Sequence, residues 1–138
     1  MEPKNAKLDP VVCIVDDDES VRKALSRLIE SLGMRAEAFA SPEDFLSRAV
    51  EEQIACLLFD IQLPGMDGFE LHDRTVEAGL DSPVIFITAH PDDRTRARAR
   101  RADAVAYLEK PFNDQTLLDA IETALDRIAD DEGRPKPR

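Results

Sequence analysis

The chain has 138 residues, of which 43% are hydrophobic and 34% are charged, and its formal net charge is -11. This length suits one domain with one core, and the negative charge argues against general affinity for nucleic acid or an anionic membrane. No apolar stretch is long enough to cross a bilayer, and the N-terminal segment MEPKNAKLDP has no apolar signal-peptide region. Cys13 and Cys56 lie inside apolar runs, which is typical of small buried residues in a reducing compartment. We therefore expect a cytoplasmic protein without membrane association.

Apolar runs of strand length alternate with segments of helical periodicity along the chain. The run VVCIV is apolar throughout, which is typical of a strand covered on both faces. Helices begin at cap signals such as Ser41 before Pro42, and the first helix ends at Gly33. The predicted elements, in order, are strand 11–15, helix 19–33, strand 34–39, helix 41–53, strand 55–59, helix 69–78, strand 83–88, helix 92–102, strand 105–109 and helix 113–129.

The strict alternation of these five strands and five helices predicts an α/β fold, in which a parallel sheet carries helices on both faces. The pattern predicts a single domain at residues 10–129, an N-terminal extension at 1–9 and a disordered polar tail at 130–138. Ligands of such sheets bind beyond the carboxyl ends of the strands. These ends are therefore the expected location of a functional site.

Polar residues follow the most apolar of the predicted strands. Three aspartates at 16–18 follow the first strand, Asp60 follows the third, and the last two strands end in Thr88 and Lys110. Two carboxylates ~5 Å apart repel by roughly 3 kcal/mol at an effective dielectric constant of ~20, so converging carboxylates attract a cation. Carboxylate oxygens suit Mg²⁺. With a lysine and a hydroxyl beside them, they predict a phosphoryl-binding site in which an aspartate can be the acceptor.

Each of these residues also has an ordinary structural interpretation. Asp18 is expected to be only a helix cap or a solvent-facing residue, and Asp60 could be a turn residue. Thr88 could be a plain strand residue, and Lys110 could be an extended surface residue before proline. Their joint occurrence at strand ends within one alternating fold favours the functional interpretation.

Four segments resemble the receiver domain of response regulators in two-component signalling: IVDDDESVR, FDIQLPGMDGFEL, VIFITAH and AVAYLEKPF. Their order and separations fit that family over residues 11 to about 128, and their sequences are most similar to the FixJ-like branch. The resemblance implies a doubly wound, flavodoxin-like sheet with strand order 2-1-3-4-5. It also implies a phosphoryl donor, either a sensor histidine kinase or a histidine phosphotransfer protein.

The resemblance implies a role for each residue at the acidic end of the sheet. Asp60 is similar to the phosphoacceptor of the family. Asp16 and Asp17 match the acidic pair that holds Mg²⁺ together with Asp60 and the backbone carbonyl of Gln62, and Mn²⁺ could substitute for Mg²⁺. Lys110 matches the lysine that binds the phosphoryl group. The side chain of Gln62 flanks the site and is a candidate for tuning hydrolysis of the phosphoaspartate.

The resemblance also implies how the phosphoryl group is sensed. Thr88 matches the switch hydroxyl that bonds the phosphoryl group, and Tyr107 matches the aromatic side chain whose rotamer follows that move. Ala89 is small and leaves the phosphoryl site open to water, while His90 is a second candidate for tuning hydrolysis. A cis peptide bond before Pro111 is expected.

The predicted fourth helix departs from the family pattern. The family usually has larger apolar residues there and a glycine at the position of Asp103, whereas this chain offers mainly alanines, so we predict a weakly packed helix. Its arginines could form a solvated face, a basic output surface for an acidic partner or, with less support, a nucleic-acid contact. The candidate output residues are Arg94, Arg96, Arg98, Arg100 and Arg101.

The leading hypothesis is a phosphorylation-controlled binding module that switches through the face formed by the fourth helix, fifth strand and fifth helix. Beyond self-phosphotransfer and slow autodephosphorylation, we expect no enzymatic activity. One alternative is an Mg²⁺-dependent phosphohydrolase with Asp60 as its nucleophile. The haloacid-dehalogenase type has an aspartate two residues after the nucleophile, where this chain has Gln62. The other alternative is a non-phosphorylated pseudo-receiver scaffold.

Several properties stay open from the sequence. The residues after 128 leave no room for a DNA-binding domain in this chain, and either a stand-alone regulator or an excised receiver fits. The downstream protein is unknown. Both a monomer and a phosphorylation-dependent homodimer are compatible with the sequence.

Overall fold

The computed structural model describes residues 10–48 and 54–133, with the side chains of the last helix described to residue 128. Its strands are β1 (Val11–Val15), β2 (Arg35–Phe39), β3 (Ile54–Asp60), β4 (Val84–Thr88) and β5 (Ala106–Glu109). They form one sheet in the order β2-β1-β3-β4-β5, and every described pairing is parallel. The predicted α/β fold and strand order are therefore confirmed.

Helices alternate with the strands, and several begin at side-chain caps. They are α1 (Glu19–Ser31), α2 (Pro42–Leu46), α3 (Gly68–Glu77), α4 (Asp93–Arg101) and α5 (Asp114–Gly133). The Asp18 carboxylate accepts hydrogen bonds from the backbone of Ser20 and Val21, which confirms it as the cap of α1. Such caps satisfy backbone N–H groups that the first turn leaves without partners.

The sheet divides the core into two halves because alternate strand residues point to opposite faces. Val11, Cys13 and Val15 of β1 belong to the half that includes residues of α2, α3 and α4. Val12 and Ile14 belong to the half that includes residues of α1 and α5. Every residue of β1, β3 and β4 is buried, whereas the edge strand β2 is mostly half-buried. This covering on both faces is what their continuous apolar runs predict.

Two helices end more than two residues away from the predicted position. The helix predicted at 41–53 ends at Leu46, and the Arg48 side chain instead pairs with Glu37 at 2.7 Å; residues 49–53 lie outside the described residues. At the other end, α5 continues to Gly133, so residues 130–133 of the predicted tail are helical. No proline or glycine precedes Gly133 in that segment, which allows the helix to continue.

The predicted extension at 1–9 and residues 134–138 of the predicted tail lie outside the described residues. Cys13 and Cys56 are both buried, as predicted. Among the helices that the structure describes, none combines the length and apolar character that a membrane crossing requires.

Candidate functional site

Three carboxylates meet at the carboxyl ends of β1 and β3. The register pairs Val15 with Phe59, so the residues that follow them, Asp16 and Asp60, lie side by side on neighbouring strands. One carboxylate oxygen from each of Asp16, Asp17 and Asp60 lies within 4.8 Å of the others. Asp16 is 1% exposed and Asp60 is 5% exposed, whereas Asp17 is exposed. We call these three residues the acidic site, and their convergence was predicted from the strand ends.

Lys110 reaches the acidic site from the end of β5. Its Nζ lies 3.1 Å from Asp16 Oδ2 and 3.2 Å from Asp60 Oδ2, so one ammonium group contacts both buried carboxylates. Its backbone N–H donates to the carbonyl of Thr88 at 2.8 Å, which fixes the lysine to the end of β4. The peptide bond between Lys110 and Pro111 is cis, as expected.

The charges of the acidic site are not balanced by the lysine alone. Burial, followed by the negative charge of Asp16, raises the pKa of Asp60 to about 6, although Lys110 opposes this shift. Burial tends to lower the pKa of Lys110, but its hydrogen bonds and ion pairs with the two aspartates outweigh that effect and raise it. The lysine therefore stays protonated at neutral pH. Its single positive charge does not neutralise the carboxylates of the acidic site, which can therefore attract a further cation.

The donor set fits a hard divalent cation. Asp16 Oδ1 accepts a hydrogen bond from the backbone N–H of Asp18, and Asp60 Oδ1 accepts one from that of Gln62, each at 2.9 Å. One oxygen of each buried carboxylate is thus held by the backbone, which orients the other oxygen toward Lys110. Oxygen ligands of this kind suit Mg²⁺ or Mn²⁺.

Thr88 is fully buried at the end of β4, and its hydroxyl already has two partners. Oγ1 donates to the side-chain carbonyl of Gln62 at 2.8 Å and accepts from the backbone N–H of His90 at 2.9 Å. Ala89 and His90 follow Thr88 and are exposed. Gln62 thus contacts the acidic site through its backbone and Thr88 through its side chain.

Tyr107 is half-buried on β5, and its hydroxyl lies at the start of α4. The Tyr107 hydroxyl is 2.6 Å from Thr95 Oγ1 and accepts from the backbone N–H of Asp92 at 3.3 Å. The Arg96 guanidinium lies 5.3 Å from the centre of the tyrosine ring. The described contacts of the hydroxyl thus tie Tyr107 to α4.

The five candidate output residues do not form a single surface. Arg96 pairs with Glu109 at 2.7 Å and with Asp93 at 3.2 Å. Arg98 is half-buried and stacks over the ring of Phe69 at 4.5 Å. The remaining three are exposed: Arg94, Arg100 and Arg101. The structure therefore separates α4 into flanks with different neighbours.

Three residues near the site were not singled out from the sequence. A Cβ on Gly68 would lie 2.5 Å from the carbonyl oxygen of Asp60, so only glycine lets α3 approach the end of β3 this closely. Arg22 donates to the carbonyl of Asp16 at 2.9 Å, and Thr95 holds Tyr107. For Gly68, the only hint in the sequence is the dipeptide Asp67-Gly68, and this dipeptide predicts a turn but not the close approach of α3 to β3.

Comparison with known proteins identifies relatives of this arrangement. The family model of the response regulator receiver domain matches residues 12–122. Nodulation protein W of Bradyrhizobium diazoefficiens is 37% identical over 122 residues, which are 88% of this chain and 54% of that protein. The response regulator protein TodT of Pseudomonas putida is 37% identical over 128 residues, which are 93% of this chain and 56% of that protein. The chain thus spans about half the length of these curated relatives.

Solved structures show the same fold. The response regulator StyR superposes with a TM-score of 0.80 and 41% identity, covering 91% of this chain and 63% of that one. The structure of FixJ-N superposes with a TM-score of 0.77 and 36% identity, covering 86% of this chain and 94% of that one.

Proposed function

Because the chain belongs to the family of response regulator receiver domains, we propose that it accepts a phosphoryl group on Asp60 and acts as a phosphorylation-controlled signalling module. The donor is a phosphohistidine of a sensor histidine kinase or of a histidine phosphotransfer protein. One observation carries the proposal: the buried Asp60 carboxylate lies 3.2 Å from Lys110 Nζ, with Asp16 and Asp17 beside it. An aspartate nucleophile next to a fixed cation and a set of oxygen ligands is the arrangement that phosphoryl transfer requires.

Asp16, Asp17 and Asp60 would hold Mg²⁺, or Mn²⁺ in its place, together with the backbone carbonyl of Gln62. The bound ion would supply positive charge for the oxygens of the transferring group. The Gln62 N–H holds Asp60 Oδ1, which leaves Oδ2 as the attacking oxygen. Lys110 lies next to that oxygen and neutralises charge on the phosphoryl group.

We propose that Thr88 and Tyr107 form the switch. The Thr88 hydroxyl leaves the Gln62 side chain and bonds the phosphoryl group, which the adjoining backbone of Ala89 also contacts. Tyr107 then leaves Thr95 and turns inward. Support comes from the pairing of β4 with β5, which links Thr88 to Glu109 and Phe86 to Tyr107. The change reaches the face formed by α4, β5 and α5, which binds a downstream protein or a second copy of the chain.

The lifetime of the phosphoaspartate depends on residues around the open side of the site. Gln62 and His90 are both exposed and both contact Thr88, so they are the candidates for tuning attack by water. The small side chain of Ala89 leaves this side open. An amide at position 62 cannot donate a proton as a carboxylic acid does, which agrees with slow autodephosphorylation rather than enzymatic turnover.

Intact mass after incubation with Mg²⁺ and a small acyl phosphate tests the proposal. We expect a single phosphoryl adduct that Asp60→Asn abolishes. Asp119→Asn makes the same change at an exposed position of α5 and should keep the adduct. An unmodified wild-type protein would contradict the phosphoacceptor role. Rapid multiple-turnover release of phosphate would instead indicate a phosphohydrolase.

A further inference from the structure

A cleft of about 190 Å³ lies between α3 and α4 and shares no residue with the acidic site. It combines positive charge, one carboxylate and an aromatic wall. We call it the arginine cleft, and it is lined by Phe69, His72, Asp73, Arg98, Arg101 and Ala102.

The arginines of α4 divide between the two flanks of the helix. Arg94, Arg98 and Arg101 recur at positions i, i+4 and i+7, which places them along one stripe of an α-helix. The contact of Arg98 with Phe69 shows that this stripe borders α3. Arg96 and Arg100, one turn apart, occupy the other flank, where Arg96 pairs with Glu109 on β5.

The stripe that borders α3 differs from the other flank of α4 in its ion pairs. Within residues 10–48 and 54–128, the ion pairs of α4 involve Arg96 and none of Arg94, Arg98 or Arg101. Asp73 lines the cleft but is not within ion-pair distance of either cleft arginine. In a chain of net charge -11, three arginines on one helix flank that form no ion pair with a described carboxylate make a local positive surface.

An apolar contact point lies beside this positive surface. Val76 is 56% exposed, the most exposed large hydrophobic residue of the described chain. It follows His72 and Asp73 by one helical turn and therefore shares the α3 face that borders the cleft. A cationic stripe next to an exposed valine suits a ligand that carries both carboxylates and an apolar group.

We propose that the arginine cleft docks a carboxylate-bearing helical segment of a partner protein. The stripe runs from Arg94 to Arg101, about 10 Å along α4, with successive arginines about one turn apart, which matches carboxylates placed one turn apart on a second helix. Phosphates of nucleic acid are denser, and the net charge of the chain together with Asp73 opposes their approach. This site lies on the flank of α4 opposite to β5 and shares no residue with the acidic site.

Fluorescence anisotropy with a labelled synthetic peptide tests the docking. The probe is a helical peptide with glutamates one turn apart and one leucine, and the control peptide has glutamines in place of the glutamates. Arg101→Gln in the full chain should weaken binding of the acidic peptide about fivefold. Arg100→Gln changes the same charge at the neighbouring exposed residue, on the other flank, and should weaken it less than twofold.

The other outcomes are decisive as well. If Arg101→Gln and Arg100→Gln weakened peptide binding equally, or if the acidic and control peptides bound equally well, binding would reflect non-specific attraction. Either result would overturn the proposed docking site. Tighter binding of a single-stranded oligonucleotide, lost in Arg101→Gln, would replace the protein partner with nucleic acid. Concentration-dependent self-association lost in the same variant would make the occupant a second copy. Because Asp60→Asn should bind the peptide as the wild type does, failure of phosphorylation and failure of docking are distinguishable.

Discussion

The acidic site and α4 differ in how their positions are held. The carboxylates of the acidic site lie at or just after the ends of strands that are buried at every residue, and the backbone of the next loop holds one oxygen of Asp16 and of Asp60. In α4 only Ala99 is buried, and the helix is attached by polar contacts. The buried strands of the core thus position the carboxylates of the acidic site, whereas side-chain contacts determine the position of α4.

The polar contacts of α4 are concentrated at its ends and flanks. A reciprocal capping box joins Asp92 and Thr95 at the start, and Thr95 also holds Tyr107. Asp103 adopts a left-handed conformation with φ of 57° after the helix, a conformation that costs an aspartate less than most residues but more than a glycine. With few buried apolar contacts and several exposed polar ones, we expect α4 to open more readily than the strands of the core.

The largest expected effect is the loss of the central cation of the acidic site. Lys110→Met keeps the aliphatic stem and removes the ammonium group that contacts both buried carboxylates. Without Mg²⁺, we expect the free energy of unfolding to fall by about 3 kcal/mol, because two buried carboxylates then lack their cation. Urea unfolding in the presence of a chelator measures this change.

A double variant tests whether that loss reflects the pairing. In an Asp60→Asn background the cost of Lys110→Met should shrink by about 1 kcal/mol or more, since one of the two charges is already absent. An identical cost in both backgrounds would mean that Lys110 supports the site through its stem rather than its charge.

The next effect is stabilisation by the divalent ion. Mg²⁺ at ten times its dissociation constant should stabilise the wild type by about 1.4 kcal/mol, seen as a higher melting temperature. Asp17→Asn should lose most of this gain. Asp18→Asn removes the neighbouring charge yet keeps a good helix cap, so its response to Mg²⁺ should match the wild type. An unchanged melting temperature of the wild type on adding Mg²⁺ would contradict the metal site.

A smaller effect is expected at the start of α4. Thr95→Val keeps the shape of the side chain but removes its hydrogen bonds to Tyr107 and Asp92, at a cost of about 1 kcal/mol. Hydrogen exchange of residues 93–101 should become faster, while the strands keep their protection. Thr95→Ser restores the hydroxyl and should restore slow exchange. Strong protection of α4 in Thr95→Val would show that packing, not the polar contacts, holds the helix.

The same contrast explains which features the sequence could predict. Asp16, Asp60 and Thr88 follow continuous apolar runs, so their place at one edge of a parallel sheet comes from strand order alone. The bond from Thr88 to Gln62 joins residues 26 apart, and no local pattern encodes it. The division of the α4 arginines likewise depends on Phe69 of α3 and Glu109 of β5, which only the packed fold brings near.

Helix ends show a second limit of prediction from sequence. Asp18 and Ser41 were predicted as caps and are caps, because the backbone N–H groups that donate to their side chains lie only two or three residues away. After the early end of α2, by contrast, Arg48 pairs with Glu37 on β2, a tertiary contact that no local pattern predicts. The sequence therefore predicts where helices start, which depends on local contacts, better than where they end.

The smallest expected effect is a pH dependence on the α3 side of the arginine cleft. His72 is half-buried with its ring 5.8 Å from that of Phe86, and burial lowers the pKa of this imidazole although Asp73 opposes the shift. The unfolded chain therefore binds a proton more readily than the native state, so stability should fall as the pH drops through about 6.5.

His72→Gln removes this contribution, and the fall in unfolding free energy between about pH 7.5 and about pH 5.5 should become smaller by less than ~1 kcal/mol, because the ring is only partly buried. His90→Gln is the matched control, since it removes the other, exposed imidazole. Equal pH dependence in the wild type and His72→Gln would contradict the prediction. A smaller dependence in His72→Gln alone would show that the packing of this imidazole beside Phe86 is tight enough to exclude its charged form.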